Sequence, residues 1–312
     1  MARTEPFAET WLDTDEGHLL HLSQHGNPEG IPVLFLHGGP GAGCTSQELG
    51  LFDLQQCRVI LLDQRGAGES LPLCQLDRND LLSLLTDLER IRQWLKLERW
   101  CLVGGSFGAT LGLIYSGLCP NRVLAQLYWG VFIPSSEGRE WLYGNSGAAK
   151  RFPIDYHSLV NAAKPKQAGL DALLAAYQRQ LNGGQRMRQC IDAWNRWERV
   201  LANPWGLITL SQSRREEATA RIENHFACEH YFGAYTLLCE GRYHWPVHTE
   251  LIHGMQDWVC PEHLLRQFLA KGCNPHQLTL VAGGFHSLDE LSMQQAVHAG
   301  CQRLVQQVLS AD

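Results

Sequence analysis

Apolar positions along this chain follow two different periods, and the way they alternate is the first guide to its fold. Ile31 to Leu36, Val59 to Leu62 and Trp100 to Val103 are short apolar runs with almost no polar interruption. Runs of that length read as strands buried on both faces, the pattern of a parallel sheet covered by helices. Between them, Leu81 to Leu95 has helical spacing with Asp80 or Asn79 as its cap. Ala109 to Cys119 predicts a second helix that stops at Pro120, and Val123 to Phe132 predicts a further strand. Ahead of these, Gly17 to Leu22 alternates loosely and Gly26-Asn27-Pro28-Glu29-Gly30 reads as a turn. That segment is expected to be a polar hairpin, with His18, His21 and His25 at the surface.

After Pro134 the texture changes. Residues 135–245 have almost no β-branched runs, and helical spacing recurs at 170–181, 187–201 and 211–224. Strand patterns resume at 249–253 and 277–281, and a closing helix is predicted over about 288–309. The expectation is one α/β core, built from residues 1–134 and 246–312, with a mostly parallel sheet. Residues 135–245 are expected to form a helical cap inserted into it.

Composition narrows the classes of function. The 312 residues are 45% apolar and 19% charged, enough for a large core and ordinary for a globular chain. A net charge of −6 without any Lys/Arg block argues against a nucleic-acid surface. No stretch approaches the roughly 18 apolar residues that a membrane span needs. Met1 to Trp11 carries Arg3, Glu5 and Glu9 and lacks the apolar centre of a signal peptide. The eleven cysteines are odd in number and scattered, as free thiols in a reducing cytoplasm would be. None of the fourteen histidines is read as a metal ligand, and no cofactor is expected.

Chemistry enters at Gly104-Gly105-Ser106-Phe107-Gly108, directly after the run Trp100 to Val103. Gly-x-Ser-x-Gly between a strand and a helix is the sharp elbow that lifts a serine hydroxyl clear of a sheet. A serine hydroxyl is a poor nucleophile at neutral pH; it needs a base, and the base needs an orienting carboxylate. Asp257 lies just past the strand at 249–253, and His286 just past the strand at 277–281. Both positions fall beyond the carboxyl ends of strands, where open α/β sheets place their sites. Ser106, Asp257 and His286 are therefore the candidate triad. His37-Gly38-Gly39-Pro40-Gly41, also at a strand end, suits backbone stabilisation of an oxyanion. The candidate donors are the N–H groups of Phe107 and Gly39, with Gly38 as the alternative to the latter.

With those motifs in place, the chain resembles the prolyl aminopeptidases (proline iminopeptidases) of the α/β-hydrolase superfamily. The resemblance rests on His37-Gly-Gly-Pro-Gly41, Asp63-Gln-Arg-Gly-Ala-Gly-Glu-Ser70 and Gly104-Gly-Ser-Phe-Gly108, with Trp194-Asn-Arg-Trp-Glu198 and Ala220 to Phe226 in the insertion. It implies the α/β-hydrolase fold and removal of an N-terminal residue, usually proline, from short peptides or small amides beneath the cap. It further implies that Glu198 and Glu223 bind the substrate's α-ammonium, which a carboxylate pair does by charge-assisted hydrogen bonds, and that Phe132 lines a proline pocket. The alternative is an esterase, lactonase or amide hydrolase with the same triad and an altered cap.

The chain departs from the family's pattern around the pocket. Phe107 stands for a tryptophan, Trp129 or Tyr128 for an arginine, and Leu142 for a tyrosine. The acid loop reads Gly254-Met-Gln-Asp257, and an extra residue precedes His286 in Gly283-Gly284-Phe285-His286. The triad survives these changes, whereas the pocket is altered.

Overall fold

The structure, a computed structural model, describes residues 5–207, 213–274 and 276–310. In chain order its elements begin with strands β1 (Ala8–Asp13), β2 (Leu19–Gly26), β3 (Ile31–Leu36) and β4 (Cys57–Leu62). Helix α1 (Leu81–Trp94), β5 (Trp100–Gly105), α2 (Phe107–Leu118) and β6 (Val123–Trp129) follow. Six helices come next: α3 (Ser136–Tyr143), α4 (Pro153–Ala163), α5 (Leu170–Leu181), α6 (Met187–Ala202), α7 (Arg214–Cys228) and α8 (Ala234–Gly241). The chain closes with β7 (Thr249–Gly254), α9 (Glu262–Leu269), β8 (Gln277–Val281) and α10 (Leu291–Leu309).

The strands form one eight-stranded sheet in the order β1-β2-β4-β3-β5-β6-β7-β8. From β4 to β8 all pairings are parallel, while β1 and β2 join antiparallel at one edge. Its two faces are covered by separate apolar clusters. One gathers Leu34, Leu36, Leu102 and Tyr128 with α1, α2 and the helices after β6. The other gathers Phe35, Val103 and Trp129 with α10 through Met293, Val297 and Leu304. Successive residues of a strand point to opposite faces, so each buried strand feeds both clusters.

Several boundaries are set by caps. The Asp80 side chain accepts from Ser83 N and starts α1 at Leu81. α10 begins at Leu291 rather than near 288, because the Glu290 carboxylate accepts from the N–H groups of Ser292 and Met293. α7 begins at Arg214 behind a Ser213 cap, and Ser211 and Gln212 of the predicted segment lie outside the described residues.

The N-terminal hairpin corrects one expectation. His18, His21 and His25 are buried rather than at the surface. β2, which carries His21 and His25 and follows directly on His18, is an interior strand between β1 and β4, and each imidazole meets a polar partner. His21 lies between Asp63 and Glu9, at 2.9 Å from each, His18 Nε2 reaches the Asp77 carbonyl oxygen at 2.8 Å, and His25 Nε2 meets Ser23 Oγ at 3.0 Å. Buried imidazoles are tolerated where they are hydrogen-bonded.

Candidate active site

Ser106 stands at the join of β5 and α2 with φ +58° and ψ −126°, a conformation that side-chain-bearing residues seldom adopt. The surroundings hold it there. Ser106 N donates to the Trp129 carbonyl oxygen at 3.0 Å, and Thr110 Oγ1 donates to the Phe132 carbonyl oxygen at 2.5 Å. At Gly108 any side chain would run into the Leu36 and His37 carbonyl groups, so helix α2 can close onto β3 only with glycine there.

The other two members of the predicted triad meet at the same end of the sheet. His286 Nδ1 and Asp257 Oδ2 are 2.7 Å apart. Asp257 Oδ1 accepts from the backbone N–H groups of Val259 and Cys260 at 2.9 and 2.8 Å, which fixes the carboxylate's rotamer. Burial works against a charged His286. The Asp257 charge and hydrogen bond, with help from Glu198, nevertheless raise its pKa above the ordinary value. The backbone N–H groups of His286 and Ser287 both donate to the Ala202 carbonyl oxygen, the last of α6, at 3.1 Å. The histidine loop is thus anchored on the helical segment. Gly130, at φ +50°, packs directly on the pair: a Cβ there would lie 2.7 Å from His286 Nδ1 and 3.1 Å from Asp257 Oδ2.

Ser106 and His286 open into a cavity of about 590 Å³, walled also by Gly38, Gly39, Phe132, Glu198 and Glu223. Gly38 is the residue against the nucleophile: a Cβ there would sit 3.1 Å from Ser106 Cβ. Phe107 N–H belongs to the first turn of α2, where backbone donors have no helical partner and are free for an anion. The Phe107 ring is buried, edge-on to Phe226 at 5.3 Å and tilted against Tyr231 at 6.1 Å. Phe132 and Tyr231 meet at 4.8 Å and form an aromatic wall of the cavity.

Glu198 on α6 and Glu223 on α7 face each other's field inside this cavity, each hydrogen-bonded to a neutral donor. Tyr143 OH donates to Glu198 Oε1 at 2.8 Å, and Trp194 Nε1 donates to Glu223 Oε2 at 2.6 Å. Trp194 and Glu198 are four residues apart and so share one face of α6. Burial pushes Glu198 up to about 7, partly offset by the Tyr143 hydrogen bond and by His286. Glu223 is driven well above the usual carboxylate range by burial and then by repulsion from Glu198.

Three residues, Tyr143, Tyr231 and Cys260, escaped the sequence reading, and the choice it left open between Trp129 and Tyr128 is decided here. Tyr143, one position past Leu142, supplies the hydroxyl on Glu198, while Leu142 lines the same cavity. Trp129 lines the cavity beside Ser106; the Tyr128 hydroxyl instead turns to Gln126 Oε1 at 3.0 Å. Tyr231 completes the aromatic wall. Burial raises the pKa of the Cys260 thiol, three residues past Asp257, well above the ordinary value, partly offset by Ser106. One donor atom each from Asp257, Cys260 and His286 falls within 4.8 Å of the others. Among the described residues no helix is long and apolar enough to cross a membrane.

A strand-elbow-helix serine, late-strand acid and histidine and a mostly parallel sheet define an α/β hydrolase. The family model for the alpha/beta hydrolase fold matches residues 31–169. A "Probable proline iminopeptidase" of Leptolyngbya boryana is 32% identical to this chain, over 97% of it and 95% of the relative. The proline iminopeptidase of Arabidopsis thaliana is also 32% identical, over 93% of this chain and 77% of its own. The chain belongs to the proline iminopeptidase family. Among solved structures, the proline iminopeptidase of Mycobacterium smegmatis covers 98% of this chain and 99% of its own, with a TM-score of 0.61 at 18% identity. A carboxylesterase of Nitrososphaera gargenis superposes equally well, with a TM-score of 0.61 at 16% identity over 96% of this chain and 98% of its own. At such identities the likeness extends to the fold alone.

Proposed function

We propose that this chain is a serine aminopeptidase, releasing an N-terminal proline or similar residue from short peptides or small amides through an acyl-enzyme. The observation that carries the reading is the pair of buried carboxylates, Glu198 and Glu223, in the same cavity as Ser106 and His286. Two acidic groups withdrawn from water, with no Lys or Arg paired to either among the described residues, are a receptor for a cation, and the free α-ammonium of a peptide supplies it. Proline iminopeptidase is also what the curated relatives are named.

In this mechanism His286 takes the Ser106 hydroxyl proton as the serine oxygen attacks the carbonyl carbon of the first residue. Asp257 holds the imidazole by its Nδ1 and stabilises the imidazolium. The N–H groups of Phe107 and of Gly39, or Gly38, receive the developing oxyanion. His286 then protonates the departing amine, and a water deprotonated by His286 hydrolyses the Ser106 ester. Phe132 and Tyr231 flank the side chain of the released residue. No cofactor enters any step. Eleven free thiols support a cytoplasmic setting.

Prolyl arylamide and its N-acetylated counterpart test the reading. Ser106→Ala should lower hydrolysis of the free-amine substrate by ~10⁴-fold or more, and the acetylated one should be a poor substrate of the wild type. Equal turnover of the two would instead favour an esterase or amide hydrolase that ignores the amine.

A further inference from the structure

The cavity has a second apolar end that the amine-binding reading leaves unused. Phe132 and Tyr231 belong to the side of the sheet covered by α2 and the inserted helices. Phe35 and Trp129 belong to the opposite cluster, with Leu288 packed against it, yet all three also line the cavity. Ser106 lines the same cavity. The Trp129 indole packs against Gly105, the residue before the nucleophile, where any side chain would collide with it. Phe35 and Trp129 support each other at 6.1 Å.

Direction follows from proton transfer. The leaving amine must receive its proton from His286, so the residue after the scissile bond departs along the histidine's side of Ser106. Leu288 is two residues past His286, and Trp129 directly precedes the Gly130 on which the imidazole rests. With the released residue held at Glu198, Glu223 and Phe132, the next residue falls against Phe35, Trp129 and Leu288.

We propose that these three residues form a leaving-group subsite for an apolar or aromatic side chain, with Trp129 as its specificity-determining residue. The inference rests on the aminopeptidase reading and deepens it: the favoured substrates carry residues such as Phe or Leu in second position. Apolar contact of this kind discriminates modestly, by about 10- to 200-fold for a methylene-sized difference in a fitted pocket. A half-open wall belongs at the low end of that range.

The test is kcat/KM for Pro-Phe-NH2, Pro-Leu-NH2 and Pro-Gly-NH2, with active enzyme counted by fluorophosphonate titration. Wild type should prefer Phe and Leu over Gly by ~10-fold. Trp129→Ala should reduce that ratio to within about 3-fold, and Trp129→Phe should keep most of it. A ratio taken within one variant is unmoved by a lower folded fraction; if Trp129→Ala is insoluble, Trp129→Leu takes its place. Turnover of all three peptides at equal efficiency, or a Trp129→Ala ratio like that of wild type, overturns the subsite and leaves the aminopeptidase reading standing. Absence of turnover on every free-amine peptide overturns both.

Discussion

Two buried acidic sites meet at the same cavity, one behind His286 and one lining it, and they are built on opposite principles. Asp257 is complete as it stands: one oxygen takes two backbone N–H groups, and the other takes His286. Glu198 and Glu223 are incomplete, each holding a hydrogen bond from a neutral donor while burial presses both toward the protonated form. A satisfied carboxylate keeps its partner in place, whereas an under-satisfied pair stores a demand for positive charge. The first arrangement belongs to the core and its loops, the second to the inserted helices. On the function proposed above, catalytic power and substrate choice are therefore separable in this chain.

The largest blow to that separation on the Asp257 side comes from Gly130→Ala. The new methyl group has nowhere to go except against His286 Nδ1 and Asp257 Oδ2, and φ +50° strains it further. Displacing the imidazole by even ~1 Å should lower kcat by about 100-fold. KM for the free-amine substrate should change little, because Glu198 and Glu223 are untouched. A matched fall in amine affinity would show that the two sites are one unit.

Glu198→Gln and Glu223→Gln strike the other side. Each removes a charge-assisted partner of the ammonium and should reduce kcat/KM for prolyl arylamide by about 10- to 100-fold, with simple esters less affected. Their pH behaviour sharpens the point. With Glu198 titrating near 7, the pair loses negative charge as pH falls, so KM for free-amine substrates should rise below about pH 7. Stability of the unliganded protein runs the other way. A carboxylate raised from its ordinary 4.5 to about 7 is favoured in its protonated form by the fold. Its contribution is present below pH 4.5 and lost as pH climbs to about 7, a difference of ~3 kcal/mol at most. Thermal melts between those pH values should fall less steeply for Glu198→Gln than for wild type. Parallel slopes would mean that Glu198 is ionised throughout.

The same contrast explains what was legible in the sequence. Ser106, Asp257 and His286 are marked by where they sit on strands, and strand ends follow from local apolar runs. β3 and β8 match their predicted bounds, and α5 does too. Partnerships across the chain leave no such trace. His21 looks like a surface residue until Asp63, forty-two residues on, folds against it. Whether Tyr128 or Trp129 meets the site depends on the pleat of β6: Tyr128 pairs with Gly104 and Trp129 with Gly105, and only the latter faces the nucleophile's cavity. At the start of the inserted helices the phase of α3 decides in the same way, bringing Tyr143 rather than Leu142 to Glu198.

Tyr143→Phe is the finest probe of the incomplete pair. It removes one hydroxyl from a buried cluster and leaves both carboxylates, Trp194 and the ring packing of Tyr143 on Trp194 at 4.6 Å. A single hydrogen bond to a charged acceptor is worth ~1.5 kcal/mol at the low end, so KM for prolyl arylamide should rise by about 10-fold or less, with kcat nearly unchanged. The more telling readout is the midpoint of the KM–pH profile. The Tyr143 hydroxyl stabilises the ionised form of Glu198 against the larger effect of burial. Its loss should therefore move that midpoint above 7, to higher pH. A shift toward acid would mean that the hydroxyl serves the neutral acid, and the demand for a cation would then have to come from Glu223 alone.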